Sequence, residues 1–146
     1  MECIIFCGLQ AAVKSSFYQA RYFKTHVRIS MELLRTRHRE RELMRVCLDT
    51  QQRFVVDNTN PTSAKRAVYI LAAREHRFPV IGYYFESRLE DCLTRNALRD
   101  QPVPDVGLLA TAKKLEQPGF AEGFDQLYYV RLTLRGFVIE EWNDEI

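Results

Sequence analysis

Gly8, Lys14 and Ser15 stand at the spacing of a phosphate-binding loop, behind the apolar run Cys3-Ile4-Ile5-Phe6-Cys7 and ahead of a helical pattern. In the motif G-x-x-x-x-G-K-[ST] the loop amides curl around a β-phosphate. The lysine reaches the β- and γ-phosphates, and the hydroxyl holds Mg²⁺. Ala11, Ala12, Val13 and Ser16 complete the expected cradle for a nucleotide such as ATP. Val13 occupies the place of the second glycine. If that place takes φ > 0, an ordinary L-residue costs about 1–2 kcal/mol there, and branching at Cβ adds to it. With about 1.4 kcal/mol per tenfold, nucleotide binding is expected to weaken about tenfold or more without being lost.

Transfer of a phosphoryl group also needs a group that takes or orients the acceptor proton, a metal environment, positive charge and shelter from water. Glu32 and Arg35 form Glu-x-x-Arg after a second apolar strand pattern, one helical turn apart, so both can face one site. Asp57 ends a third strand pattern and, with Ser15, is the candidate metal-binding pair. Arg95, Asn96 and Arg99 form Arg-Asn-x-x-Arg before the break at Pro102 and Pro104, as a basic lid over phosphates would. Each residue also has a plainer reading: Arg35 on a surface helix, Asp57 as a turn former with Asn58, Arg95 and Arg99 as last-turn charges favoured by the helix dipole. Their joint placement at the ends of strands favours a site.

The elements that must position these residues alternate along the chain. Strands are expected at 3–7, 27–29, 54–57, 80–85 and 127–133, with a possible edge strand at 137–140. Helices are expected from Lys14 to about Phe23, Glu32 to about Thr50, Pro61 to about Arg74, Ser87 to about Leu98 and Asp105 to about Glu116. Asn60 with Pro61, and Ser87 with Glu90 in a capping box, give start signals. Ala64, Ala67, Val68 and Leu71 form an apolar stripe expected to pack in the core, and Gly82 marks a possible close approach. This alternation predicts an α/β fold, a three-layer α/β/α sandwich with a mostly parallel sheet of about five strands. Ligands in such sheets bind beyond the C-terminal strand ends, where Gly8, Ser30 and Asp57 all fall.

The 146 residues suit one domain, spanning 1–146. With 47% hydrophobic and 27% charged residues, no signal pattern and no apolar run of bilayer length, the sequence reads as a cytoplasmic protein without a membrane partner. A net charge of +2 is too mild to announce nucleic-acid binding. The cysteines Cys3, Cys7, Cys47 and Cys92 read as buried hydrophobes, without zinc or redox spacing. Arg28, Arg35, Arg37, Arg39, Arg41 and Arg45 crowd one stretch, and Glu140, Glu141, Asp144 and Glu145 form an acidic tail. Both also suit a solvated surface.

The order Gly8…Lys14-Ser15, Ile29-Ser30-Met31-Glu32-Leu33-Leu34-Arg35, Val56-Asp57-Asn58-Thr59-Asn60-Pro61, Arg95-Asn96-Ala97-Leu98-Arg99 and Val103-Pro104 resembles the 5'-OH polynucleotide kinase branch of the P-loop kinases. The resemblance spans about Ile4 to Lys114. It implies that Lys14 and Ser15 bind ATP phosphates and Mg²⁺, that Arg35 contacts the acceptor or transferred phosphate, and that Arg95 and Arg99 close as lid arginines. It places Asp57 near acceptor and metal, with Asn60 supporting the turn. Glu32 stands where the family has an aspartate as general base, and its extra methylene shifts the carboxylate. A displacement of about 1 Å can cost on the order of 100-fold in rate. No Asp-x-Asp-Gly motif occurs, so transfer without phosphatase activity is expected. The resulting expectation is an ATP-dependent kinase acting on a nucleic acid or nucleotide 5'-OH. The alternatives are a catalytically impaired nucleotide-binding module and a P-loop kinase of a small hydroxyl-bearing molecule. Nothing in the residues sets the oligomeric state.

Overall fold

The computed structural model describes residues 1–143, so Asp144 and Glu145 of the acidic tail lie outside the described residues. Six strands form one sheet in the order β2-β3-β1-β4-β5-β6. They are β1 (Cys3–Cys7), β2 (Val27–Ile29), β3 (Phe54–Val56), β4 (Val80–Phe85), β5 (Gln126–Thr133) and β6 (Gly136–Glu141). All pairings are parallel except β5 with β6, where Val130 faces Ile139 across an antiparallel ladder. The edge strand therefore forms, and the sheet has six strands where about five were expected. Glu140 and Glu141 belong to it, and Glu140 pairs with Arg131.

β1 is central because every one of its residues is apolar and buried, and alternate side chains leave on opposite faces. Cys3, Ile5 and Cys7 join a core with α3 (Arg37–Thr50) and α4 (Ser63–Glu75). Ile4 and Phe6 join a second core with α1 (Lys14–Arg21), α5 (Leu89–Ala97) and α6 (Asp105–Lys114). Two cores on two faces make the three-layer sandwich. Gly82 of β4 is required by packing, because a Cβ there would stand 2.6 Å from the Phe124 ring. Among the described residues no helix is long and apolar enough to cross a membrane.

Several local expectations give way to tertiary partners. The helix foreseen from Glu32 to Thr50 is two: α2 (Met31–Leu34) ends at Arg35 with φ 72°, and Thr36 starts α3 by accepting from the Arg39 amide. α4 begins at Ser63 with Thr62 as its cap, accepting from the Lys65 amide. Asn60 instead sends Nδ2 2.7 Å to the Phe6 carbonyl. The stripe on α4 is reversed: Val68 and Leu71 are 60% and 62% exposed, while Arg66, Tyr69, Ile70 and Ala73 face inward. Arg66 can occupy the core because its guanidinium is matched by Glu122 at 2.8 Å and by the Asn60 carbonyl at 2.8 Å. Ser87 forms no capping box, and Arg88 rather than Ser87 precedes α5. Asp105 lies inside the first turn of α6 instead of capping it.

Candidate functional site

β1 leads to β2 by passing β3, while β3 leads to β4 by crossing back over β1, so the chain reverses direction between β1 and β3. At such a point the connections leave to opposite sides and open a crevice beyond the strand ends. A cavity of about 870 Å³ lies there, lined by residues 10–16 of the loop except Ala12, by Ser30–Leu33, by Arg35 and Arg37, by Asp57–Thr59, and by Arg95 and Arg99. Arg28 lines it as well. The cavity thus gathers Lys14 and five arginines against the carboxylates of Glu32 and Asp57, a surplus of positive charge suited to phosphates.

The loop is held from beneath. The Gly8 amide donates to the Thr59 carbonyl at 3.0 Å, and the Leu9 amide donates to Ser87 Oγ at 3.0 Å. A Cβ on Gly8 would meet Ser87 Oγ at 3.1 Å and Phe85 Cβ at 3.2 Å, so glycine permits this close approach. Ser87 Oγ also donates to the Phe85 carbonyl at 2.7 Å, and it accepts from the Leu9 amide in place of an amide of α5. Ala11 at φ 62° and Val13 at φ 65°, ψ 24° both take left-handed backbone, the geometry that makes glycine the favoured occupant. Val13 also lines the cavity, whereas Ala12 is buried in the core. The first bond within α1 runs from the Phe17 amide to the Val13 carbonyl, so the amides of Lys14, Ser15 and Ser16 precede the helical ladder at the cavity wall. This is the anion-attracting end of a helix.

Lys14 turns inward. It is 8% exposed and donates from Nζ to the Leu9 carbonyl at 2.6 Å and the Gly8 carbonyl at 3.1 Å. Burial pushes its pKa below the ordinary lysine value, with the Asp57 carboxylate opposing that shift. The ammonium is therefore parked on the loop's own carbonyls.

The acceptor-side candidates meet across the same cavity. Asn58 Oδ1 accepts from the Met31 amide at 2.9 Å and so fixes the start of α2, the element bearing Glu32. Asn58 Nδ2 donates to Glu40 at 3.0 Å, and Tyr69 and Arg37 donate to the same buried carboxylate. Burial together with this carboxylate pushes the Tyr69 hydroxyl up to about 12, which keeps it a proton donor to Glu40. Glu32 is engaged by Arg99, whose Nη2 lies 3.2 Å from Oε1, a contact that closes one side of the cleft. Arg95 reaches the Ala11 carbonyl at 3.4 Å, bringing α5 down onto the loop.

Sequence reasoning placed Ser15 and Asp57 together, and Ser15 Oγ does donate to Asp57 Oδ2 at 3.0 Å. That spacing suits two neighbouring oxygens of a Mg²⁺ shell, which stand about 2.9 Å apart when each lies about 2.0–2.1 Å from the ion. The third corner is not open. Arg28 donates from Nε to Asp57 Oδ2 at 2.8 Å and from Nη2 to Ser15 Oγ at 3.0 Å. With the guanidinium on Ser15 Oγ and Asp57 Oδ2, an ion bridging these two atoms does not fit this arrangement. Arg28 was legible only as one of a crowd of arginines. The stronger signal was a lone cation between Val27 and Ile29, in a short strand ending beside the strand that leads to Asp57. Of the remaining crowd, Arg35 and Arg37 reach the cavity, while Arg45 pairs with Glu42 and Asp49.

The AAA domain family profile matches residues 3–118. The chain belongs to this family. The chain is similar to the bifunctional polynucleotide phosphatase/kinase of Schizosaccharomyces pombe, 22% identical over 97% of this chain and 36% of that protein. This AAA domain thus spans little more than a third of that relative's length. Among solved structures it is similar to Kti12 from Chaetomium thermophilum in complex with ADP-AlF₃, with TM-score 0.62, 14% identity and 88% of each chain covered. It is also similar to a gluconokinase from Sinorhizobium meliloti 1021, with TM-score 0.61, 15% identity, and 89% of this chain and 82% of that one covered. The AAA domain described here has the α/β fold of the P-loop kinases, with a mostly parallel sheet.

Proposed function

We propose that this chain transfers the γ-phosphate of ATP to a hydroxyl, with the 5'-OH end of a nucleic acid or nucleotide as acceptor. One observation carries the reading: a single cavity is lined both by the phosphate loop and by Glu32 and Arg35. Gly8, Ala11, Ala12 and Val13 shape the donor cradle, and Lys14, Ser15 and Ser16 face the donor phosphates. Arg95 and Arg99 close over them, with Arg99 exchanging Glu32 for phosphate as the donor enters. Glu32 accepts the hydroxyl proton as the acceptor oxygen bonds to the γ-phosphorus. The bond from that phosphorus to the β,γ-bridging oxygen breaks, and ADP leaves. Arg35 and Arg37, at the acceptor end of the cavity, favour an acceptor that itself bears phosphate. We propose further that residues 1–146 act as one domain and that the protein works in the cytoplasm, where ATP is abundant and its four free cysteines stay reduced.

The left-handed Val13 and the engagement of Glu32 by Arg99 support a second reading, a nucleotide-binding module with impaired catalysis. Labelled ATP offered together with 5'-OH oligonucleotides and with sugars or nucleosides separates these readings. Label on the oligonucleotide supports the leading one, and label on a small alcohol moves the acceptor class. An ATP-dependent rise in melting temperature without any transfer supports the impaired module. With neither binding nor transfer, both fail.

A further inference from the structure

Three groups close a triangle at the mouth of the loop: Ser15 Oγ to Asp57 Oδ2 at 3.0 Å, Arg28 Nε to Asp57 Oδ2 at 2.8 Å, and Arg28 Nη2 to Ser15 Oγ at 3.0 Å. The Asp57 side chain is 2% exposed and the Arg28 side chain 25%. A carboxylate so enclosed needs a counter-charge, and Arg28 is the cation bonded to it. Arg28 lines the cavity, as Lys14 does. A guanidinium has five donors in a planar fork, so Arg28 can keep Nε on Asp57 while its outer nitrogens turn to a phosphate.

We propose that Arg28 holds the place of the divalent cation, so that this protein binds nucleoside triphosphate without Mg²⁺. The inference rests on the nucleotide-binding part of the reading above. The chemistry is consistent at each contact. A Mg²⁺ ion bridging Ser15 Oγ and Asp57 Oδ2 would need lone pairs that are now directed at Arg28, and it would sit against a positive charge that cannot be shed by deprotonation. A metal-free triphosphate brings more negative charge than its Mg²⁺ complex. Lys14, Arg95 and Arg99, facing the same cavity, are there to meet that excess. Arg28 is thus a specificity-determining residue: it selects the free nucleotide anion over the metal complex.

The test is nucleotide affinity, measured with ATP in EDTA and with ATP in excess Mg²⁺, on wild type and on Arg28→Ala. Wild type is expected to bind ATP in EDTA at least as tightly as in Mg²⁺. Arg28→Ala leaves Asp57 facing phosphate without a counter-charge. It is expected to lose about ten- to a hundredfold in EDTA, the loss of one charge-assisted pair, and to recover in Mg²⁺ as the vacated corner admits the ion. Arg28→Lys keeps a cation on Asp57, guards against misfolding, and is expected to fall between the two. Wild type that binds ATP only with Mg²⁺ would overturn the inference while leaving nucleotide binding intact. So would an Arg28→Ala protein that is folded yet unaltered in EDTA. A wild type that binds ATP in neither condition overturns the nucleotide-binding reading itself, and the role of Arg28 falls with it.

Discussion

Val13 offers the sharpest measurement, because the usual ranking of glycine and alanine should invert there. At φ 65° and ψ 24°, an L-residue at this position carries about 1–2 kcal/mol of left-handed strain. Val13→Ala keeps most of that strain. Val13→Gly removes it and loses about 0.5–1 kcal/mol through the extra freedom of glycine in the unfolded chain. The glycine variant should therefore be more stable than the alanine variant by up to about 1.5 kcal/mol, whereas in an ordinary helical position it would be less stable by about 1 kcal/mol. For a chain of this size that is a difference of up to about 6 °C in Tm, readable by thermal denaturation. Affinity isolates a different quantity. Strain present in both the free and the bound loop cancels in Kd, but the isopropyl group lining the cavity does not. Both variants should then gain ATP affinity by a similar factor. A gain confined to glycine would mean that the loop changes conformation to take phosphate. A glycine variant that melts below the alanine variant would refute the account of Val13 altogether.

Lys14→Ala should abolish the ATP-dependent rise in melting temperature, since a phosphate would replace the Gly8 and Leu9 carbonyls as acceptor of the ammonium. Because burial lowers the Lys14 pKa, the folded protein binds that proton less tightly than the unfolded chain. Stability therefore rises with pH between the lowered value and the ordinary lysine value, while a bound phosphate draws the proton back. Nucleotide binding in that window should take up a proton, seen as a dependence of calorimetric heat on buffer ionisation enthalpy; no such dependence would contradict the buried ammonium. Arg66→Met should destabilise by about 3–5 kcal/mol, as it strands Glu122 and the Asn60 and Glu116 carbonyls. That corresponds to a fall of roughly 6–20 °C in Tm, and a fall of under about 3 °C would show that the network relaxes without cost.

The buried β1, the loop after it and the alternation of strands with helices were legible in the sequence, because each follows from local periodicity and from residue types at fixed offsets. So was the meeting of Ser15 with Asp57, since both follow strand ends on the same edge of a parallel sheet. Where a residue had a choice of partners, local rules failed. Ser87 and Asn60 have the chemistry of caps, yet each spends its hydrogen bonds on the phosphate loop or on β1, far away in the chain. Arg35 looked helical and instead takes φ 72°, dividing one expected helix into two.

The sequence alone determined that an anion-binding loop opens a helix beside a parallel sheet, because spacing, apolar runs and the Lys14-Ser15 pair are properties of neighbours along the chain. Only the tertiary structure decided which cation meets Asp57 and which face of α4 is buried. Those outcomes depend on strand order: β2 lies beside β3, and that adjacency brings Arg28 to Asp57, 29 residues on. Electrostatic pairing follows distance in space, and no local pattern in the chain encodes that distance.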